Sequence, residues 1–295
     1  MNRGVAYAAF AFVCWGLYPI YFKQLAAIGA LEVLGHRVVW SLVFLLVLLA
    51  LRRQWAWLAE VARRPRVLAA FFASSVLLSI NWVIYIWSIA NDHVLDASLG
   101  YFMTPLVSVA LGCTVLHERL RRIQWAALAL VLAGVLWLTL QAGRPPWIAL
   151  VLAASFGAYG LLRKIAALGA LEGLTLETLM LAPAAIALLA FLALRGTAGF
   201  PTADLATNLW LLVVGPITAI PLLLFAAGAR RISMVTLGVL QYLSPTLQFM
   251  LGVWLYHEPF AAMRFAGFGL IWTALLLYSA DSWRNARRGA VVAPA

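Results

Sequence analysis

Residues 15–32 read WGLYPIYFKQLAAIGALE, and residues 156–172 read FGAYGLLRKIAALGALE. Trp15-Gly16-Leu17-Tyr18 answers to Phe156-Gly157-Ala158-Tyr159, Lys23 to Lys164, and Gly29-Ala30-Leu31-Glu32 to Gly169-Ala170-Leu171-Glu172. The correspondence continues: Ser98-Leu99-Gly100 matches Thr236-Leu237-Gly238, and Pro105 leads to Leu116-His117-Glu118 as Pro245 leads to Tyr256-His257-Glu258. The offset stays between 138 and 141 throughout. Apolar sequence aligns with itself easily, but a fixed offset kept at Gly, Pro and charged positions does not arise that way. The chain therefore reads as two copies of one unit.

The 295 residues are 65% hydrophobic and only 11% charged, with a mean hydropathy of +0.97. A soluble domain carries about 25% charged residues, so this is a membrane protein and the lipid bilayer is its first partner. The net charge of +11 would suit nucleic acid if it formed a patch. Instead the basic residues punctuate apolar segments, which excludes a nucleic-acid partner and fits a membrane. Cys14 and Cys113 lie inside apolar runs without metal spacing and read as packing residues.

A helix needs roughly 20 apolar residues to cross the hydrocarbon. Ten such segments are expected, near 4–22, 31–51, 67–90, 94–117, 122–141, 146–163, 174–194, 206–228, 232–256 and 263–281. With the N-terminus inside, sixteen of the 21 Lys and Arg fall on the inner side and five (Lys23, Arg37, Arg144, Arg195 and Arg264) on the outer. That bias sets the orientation, with both termini cytoplasmic. Five helices per copy is odd, so the copies run in opposite directions. The fold class is an all-α polytopic membrane protein, ten transmembrane helices in two inverted five-helix repeats, 1–141 and 142–283, followed by a basic tail, 284–295. Inverted repeats of this kind recur in secondary transporters, whose site lies near the midplane between the copies.

The chain resembles the drug/metabolite transporter superfamily, with two EamA-type halves, and within it the RarD-type permeases, a group linked to chloramphenicol sensitivity. The residues carrying this are Trp15-Gly16 with Pro19, Phe22 and Lys23; His36-Arg37 with Trp40-Ser41; Asn81-Trp82; His93 with Asp96-Ala97-Ser98-Leu99-Gly100-Tyr101-Phe102 and Pro105-Leu106; Gln124-Trp125; Tyr159-Gly160 with Arg163-Lys164; Glu177-Thr178; and Leu237-Gly238 with Gln241-Tyr242 and Pro245-Thr246. Superfamily members often have Gly before the glutamate that ends the fourth and ninth helices; here His117 and His257 stand there. The resemblance implies ten helices, a cavity between the halves, movement of small metabolites and a place in the bacterial cytoplasmic membrane. It implies no catalytic set, cofactor or metal.

Polar residues inside the spans are the candidate site. Arg37 lies about 10 Å below the outer end of its helix, where a charge should face protein or water rather than lipid, unless it snorkels to the headgroups. Glu32, His36 and Trp40 share its helix at i, i+4 spacing, and together they suggest an anion-binding lip. Asn81, Tyr85 and Ser88 form one polar stripe, either lining the cavity or bonding a neighbouring helix. Trp15, Tyr18, Tyr101, Tyr159 and Tyr242, with Gln241, add aromatic and polar lining. Asp96, Glu177 and His36 are candidates for proton coupling, with Arg163 or Lys164 as counter-charge to Glu177. Gly100 with Pro105, and Gly238 with Pro245, are expected to interrupt the fourth and ninth helices as hinges. Glu258, followed by Pro259, reads as the cap of the tenth helix.

No GxxxxGK[ST] loop occurs, so transport would draw on a gradient or exchange. The expected function is a secondary active transporter of a small metabolite or drug-like solute, an amino acid or aromatic compound among the candidates, working by alternating access, with a monomer as the expected state. An intramembrane enzyme would need clustered carboxylates or a His/Asp set, which the scattered acids and His do not offer. A lipid flippase or scramblase stays open as the alternative.

Overall fold

The computed structural model describes residues 2–53, 55–91, 94–142, 147–201, 204–256 and 262–291, and all regular structure among them is helical. The helices are α1 (Arg3–Phe22), α2 (Ala30–Arg52), α3 (Ala56–Ala62), α4 (Pro65–Ala90), α5 (Val94–Thr114), α6 (Arg122–Ala142), α7 (Trp147–Ile165), α8 (Ala170–Leu194), α9 (Leu205–Ala229), α10 (Met234–Gln241), α11 (Leu243–Met250) and α12 (Ala262–Val291). By length and composition six stretches can cross a membrane: α1 with the turn after it, α2, residues 65–85 of α4, α7, α8 and α9. Shorter apolar stretches lie at 100–114, 122–137 and 269–281. Large apolar side chains such as Phe72, Leu140, Leu194 and Leu276 cover the outside, as a lipid-facing surface requires.

The ends of the helices follow local chemistry. The Asn2 side chain accepts from the Gly4 amide at 2.9 Å and caps α1. Asp204 accepts from the Thr207 amide at 3.0 Å and starts α9. Arg53 closes α2 in the left-handed region at φ 51. The short α3, absent from the sequence expectation, is held by Val61 against Phe71 and Leu176.

The Gly/Pro pairs behave differently in the two halves. α5 runs unbroken through Gly100 and Pro105, so the interruption expected in the fourth helix is not there. Close packing on α7 supports it: a Cβ on Gly100 would sit 3.0 Å from Leu152 Cβ and 3.2 Å from Ala149 Cα. The ninth segment does break, between Gly238 and Pro245. α10 ends at Gln241, α11 begins at Leu243, and a π-helical turn, Leu251–Leu255, completes the segment. Pro245 has no N–H to return to the carbonyl of Gln241, so the helix is free to restart there.

The halves interlock rather than lie side by side. α1 packs on α9, α10 and α11, while α7 packs on α4 and α5; α2 meets α8 and α9, α5 meets α10, and α6 meets α12. Small residues allow the closest crossings. A Cβ on Gly215 of α9 would lie 2.3 Å from the backbone carbonyl of Trp40 in α2, and Ser41 Oγ donates to the Gly215 carbonyl at 3.1 Å. One apolar core joins α1, α2, α4 and α7–α10, and a second joins α5, α6, α10 and α12.

Two proline-freed carbonyls find donors across the interface between the halves. Pro221 leaves the Ile217 carbonyl without its helix donor, and Tyr18 Oη donates to it at 2.8 Å. Pro19 does the same to Trp15, and Gln248 Nε2 donates there at 3.0 Å. Proline is tolerated in a membrane helix when a neighbour re-satisfies the backbone in this way.

Candidate functional site

α2 delivers Arg37 inward. Its Nε donates to Thr218 Oγ1 of α9 at 3.3 Å, and the guanidinium lies 4.6 Å from the Trp82 ring of α4 and 5.6 Å from the Phe22 ring. Such stacking suits the flat, weakly hydrated guanidinium. Tyr18 and Tyr21 from α1, Tyr85 from α4 and Tyr101 from α5 surround the charge within electrostatic range. Tyr85 and Tyr101 meet edge to face at 5.7 Å. Arg37 is half-buried, its two terminal nitrogens bond to no described residue, and no described carboxylate pairs with it. The side chain lies among α1, α4 and α9. Trp82, which the sequence places off the polar stripe, is the floor under the guanidinium.

The other α2 residues are turned to a different task. Glu32, buried, accepts from the backbone N–H of Gly199 at 2.9 and 3.0 Å and of Phe200 at 2.9 Å. His36 Nε2 lies 3.8 Å from Glu32 Oε1, and Trp40 Nε1 donates to His36 Nδ1 at 3.0 Å. Phe200 stands edge-on to both rings. The shared face of Glu32, His36 and Trp40 is thus a clasp for the loop after α8. The loop residues lie more than 160 positions away in sequence, so no local pattern announces the clasp.

The second half holds a closed polar cluster. Glu177 on α8 has no exposed side-chain surface; Ser74 Oγ of α4 donates to its Oε1, and Tyr159 Oη of α7 donates to its Oε2 at 3.3 Å. Arg163 Nη1 is 3.6 Å from Glu177 Oε1, and Nη2 donates to the Ala170 carbonyl at 3.2 Å. Arg163, not Lys164, is therefore the partner of Glu177, and the pair is fully interior. Lys164 instead lies 3.9 Å from Glu118 and donates to the Ala229 and Ile232 carbonyls. Glu118 in turn accepts from the Met234 and Val235 amides at 2.8 and 3.0 Å, capping α10. Glu258, His257 and His93 lie outside the described residues, and the side chain of Asp96 outside the described side chains.

The remaining predicted residues separate. Asn81 is buried and donates to the Leu152 carbonyl at 3.0 Å and Ser155 Oγ at 3.1 Å on α7, so its amide ties two helices. Ser88 donates to the Tyr85 carbonyl of its own helix. Gln241 accepts from Ser108 Oγ at 3.0 Å, and Tyr242 Oη donates to the Phe102 carbonyl at 3.0 Å; both join α10 to α5. Trp15 joins Phe12, Phe156 and Phe225 in an aromatic cluster. Tyr159 stacks on Phe225, which extends that cluster to Glu177. A cleft between α5, α6, α10 and α12, lined by Val109, Val131 and Tyr242, has a volume of about 30 Å³, room for a water rather than a solute. Among the described residues no three His, Cys, Asp or Glu side chains converge as a metal site.

One family description, the EamA-like transporter family, matches the chain twice, over residues 2–140 and 145–280. The chain belongs to the EamA-like transporter family. Protein RarD of Streptomyces exfoliatus is 46% identical over 288 residues, covering 97% of this chain and 91% of that one. An uncharacterized transporter of Pseudomonas aeruginosa is 43% identical over 288 residues, covering 98% and 97%. A solved crystal structure shares the fold of this EamA-like transporter, with a TM-score of 0.71 at 17% identity over 94% of this chain and 97% of that one. The chain is thus a multi-pass membrane transporter of the drug/metabolite type, among its RarD-type permeases.

Proposed function

We propose that this EamA-like transporter is a secondary active carrier of small metabolites, not an enzyme, working by alternating access around Arg37 in the bacterial cytoplasmic membrane. The observation that carries the reading is Arg37 itself: a half-buried cation without a counter-ion among the described residues, within electrostatic range of Tyr18, Tyr21, Tyr85 and Tyr101, where helices of both halves meet. An intramembrane charge of this kind defaults to a substrate or ion pathway. Ten crossings arranged as inverted repeats, 1–141 and 142–283, with both termini and the tail 284–295 inside, complete the proposal. The double family match and the interlocked helix pairs support it. So does the meeting of residues assigned to one side: Glu118 with Lys164, and Arg121 with Asp281 at 2.6 Å.

Glu177 is the proposed coupling group. It is an ionisable carboxylate buried where α4, α7 and α8 meet, joined through Tyr159 to the aromatic cluster between the halves. The test is flux into proteoliposomes of a solute panel that includes aromatic amino acids and chloramphenicol, with and without an inward proton gradient. Gradient-stimulated flux of a solute is expected, and Glu177→Gln should remove the stimulation. Lipid scrambling with no solute flux would overturn the carrier reading, and unchanged coupling in Glu177→Gln would remove Glu177 from the mechanism.

A further inference from the structure

The two halves treat one structural position in opposite ways. By the repeat offset, Arg37 corresponds to Glu177, Phe22 to Arg163 and Tyr18 to Tyr159. In the second half the pair of positions is filled by a carboxylate and an arginine 3.6 Å apart, so its charge is cancelled internally. In the first half the same positions hold an arginine over a phenylalanine ring, and no described carboxylate cancels the charge. An uncompensated cation in a membrane interior is costly, and the cost falls when an anion binds.

Among the described side chains, the buried carboxylates that could have cancelled it are committed elsewhere: Glu32 to the Gly199 and Phe200 amides, Glu118 to α10 and Lys164, Glu177 to Arg163, and Asp281 to Arg121. The Arg37 site therefore offers strong recognition to a negative group and, among the described side chains, no acid for a positive one. The forked terminal nitrogens of Arg37 match a carboxylate in geometry as well as in charge. Trp82 and the edge-to-face pair Tyr85 and Tyr101 add flat aromatic walls beside that fork, and such walls favour a planar body over a branched aliphatic one.

We infer that the Arg37 site selects monoanions with an aromatic body, arylcarboxylates of metabolite size, over zwitterions and cations of the same shape. This deepens the carrier reading and rests on it. The selection follows from how charge is distributed: a zwitterion gains the same contact at Arg37 but brings an ammonium group into aromatic surroundings where no described carboxylate meets it. A cation gains neither contact.

The test uses three compounds that share one phenyl body: 3-phenylpropionate, phenylalanine and 2-phenylethylamine. Binding to the purified full-length protein in detergent is read by tryptophan fluorescence, and uptake is read by counterflow in proteoliposomes. The expected order places the monoanion ahead of both others by about ten- to a hundredfold in affinity, the range that charge-assisted hydrogen bonds supply. Arg37→Gln should erase the order, while Arg37→Lys, which keeps the charge and loses the fork, should keep part of it. Equal binding of the three, preference for phenylalanine or the amine, absence of binding by all three, or an unchanged order in Arg37→Gln would each overturn the inference. Monoanion binding without counterflow would instead sink the carrier reading and leave the site assignment standing. Flux of another solute class without anion preference would do the reverse. Asp204→Asn, at the exposed start of α9 and away from Arg37, serves as a folded control and should keep the order.

Discussion

The side-chain amide of Gln248 donates to the backbone carbonyl of Trp15 at 3.0 Å, and that carbonyl is the one Pro19 leaves without a helix donor. A residue of the second half thereby repairs a gap in a helix of the first. Gln248→Leu should cost about 1–3 kcal/mol by leaving a buried acceptor unmade. Pro19→Ala supplies the missing N–H, so the same change in that background should cost much less. Unfolding of the four proteins in mixed micelles, analysed as a double-mutant cycle, checks this. Additive losses would refute the repair.

Gly215 and Gly160 offer a contrast within one molecule. A Cβ at Gly215 would press on the Trp40 carbonyl carbon and oxygen at 2.3 Å, backbone atoms that cannot rotate away. At Gly160 the nearest atom is the tip of the Phe225 ring at 3.3 Å. Gly215→Ala should lower stability by about 1–3 kcal/mol or more and open the α2–α9 crossing, while Gly160→Ala stays near neutral. Thermal unfolding of both variants, side by side, decides it.

Breaking the Arg163–Glu177 pair from either side should be severe. Glu177→Gln or Arg163→Met each leaves one buried charge uncompensated, an effect of about 3–5 kcal/mol. The double variant Arg163→Met with Glu177→Gln should be less damaged than the sum, because no charge remains at that pair of positions. Detergent-titration unfolding of the three variants measures the coupling, and strict additivity would mean that the 3.6 Å approach carries no energy.

Asp204 lies outside the spans and is exposed, and the Thr207 hydroxyl and amide bound to it hold its carboxyl below the ordinary range. A depressed folded value means that the α9 cap is fully formed above the unfolded value of about 3.9 and is lost as pH falls through the lower folded one. The protection of the Thr207 amide, its exchange rate relative to the intrinsic rate at each pH, should therefore fall on acidification in the native protein. Asp204→Asn, which caps without titrating, should remove that dependence.

Where the sequence reading and the structure agree, the reason is local. Apolar run length and charged loops mark the helices, and Pro245 with Gly238 marks a true interruption. The same Gly/Pro pattern at Gly100 and Pro105 gives no break, because packing on Ala149 and Leu152 holds α5 straight, and no local signal carries that contact. The Asn81 stripe was legible as polar and inward, yet its amide goes to α7, while Trp82 beside it takes the place under Arg37. Helical periodicity tells which residues share a face and not which neighbour that face meets. The Glu32 clasp and the Glu118 cap escape sequence reading for the same reason, since each joins groups more than a hundred residues apart.

The polar contacts between the halves also bear on how the molecule is made. Tyr18, Ser41, Asn81 and Glu118 emerge from the ribosome long before the Ile217 and Gly215 carbonyls, the Leu152 carbonyl and the α10 amides that they serve. A nascent chain halted after α6 would hold a lone arginine and a set of unmet hydroxyl and amide groups in lipid. The first helices of this transporter therefore carry polar groups whose partners lie in segments made later, and their hydrogen bonds close only when α7, α9 and α10 arrive.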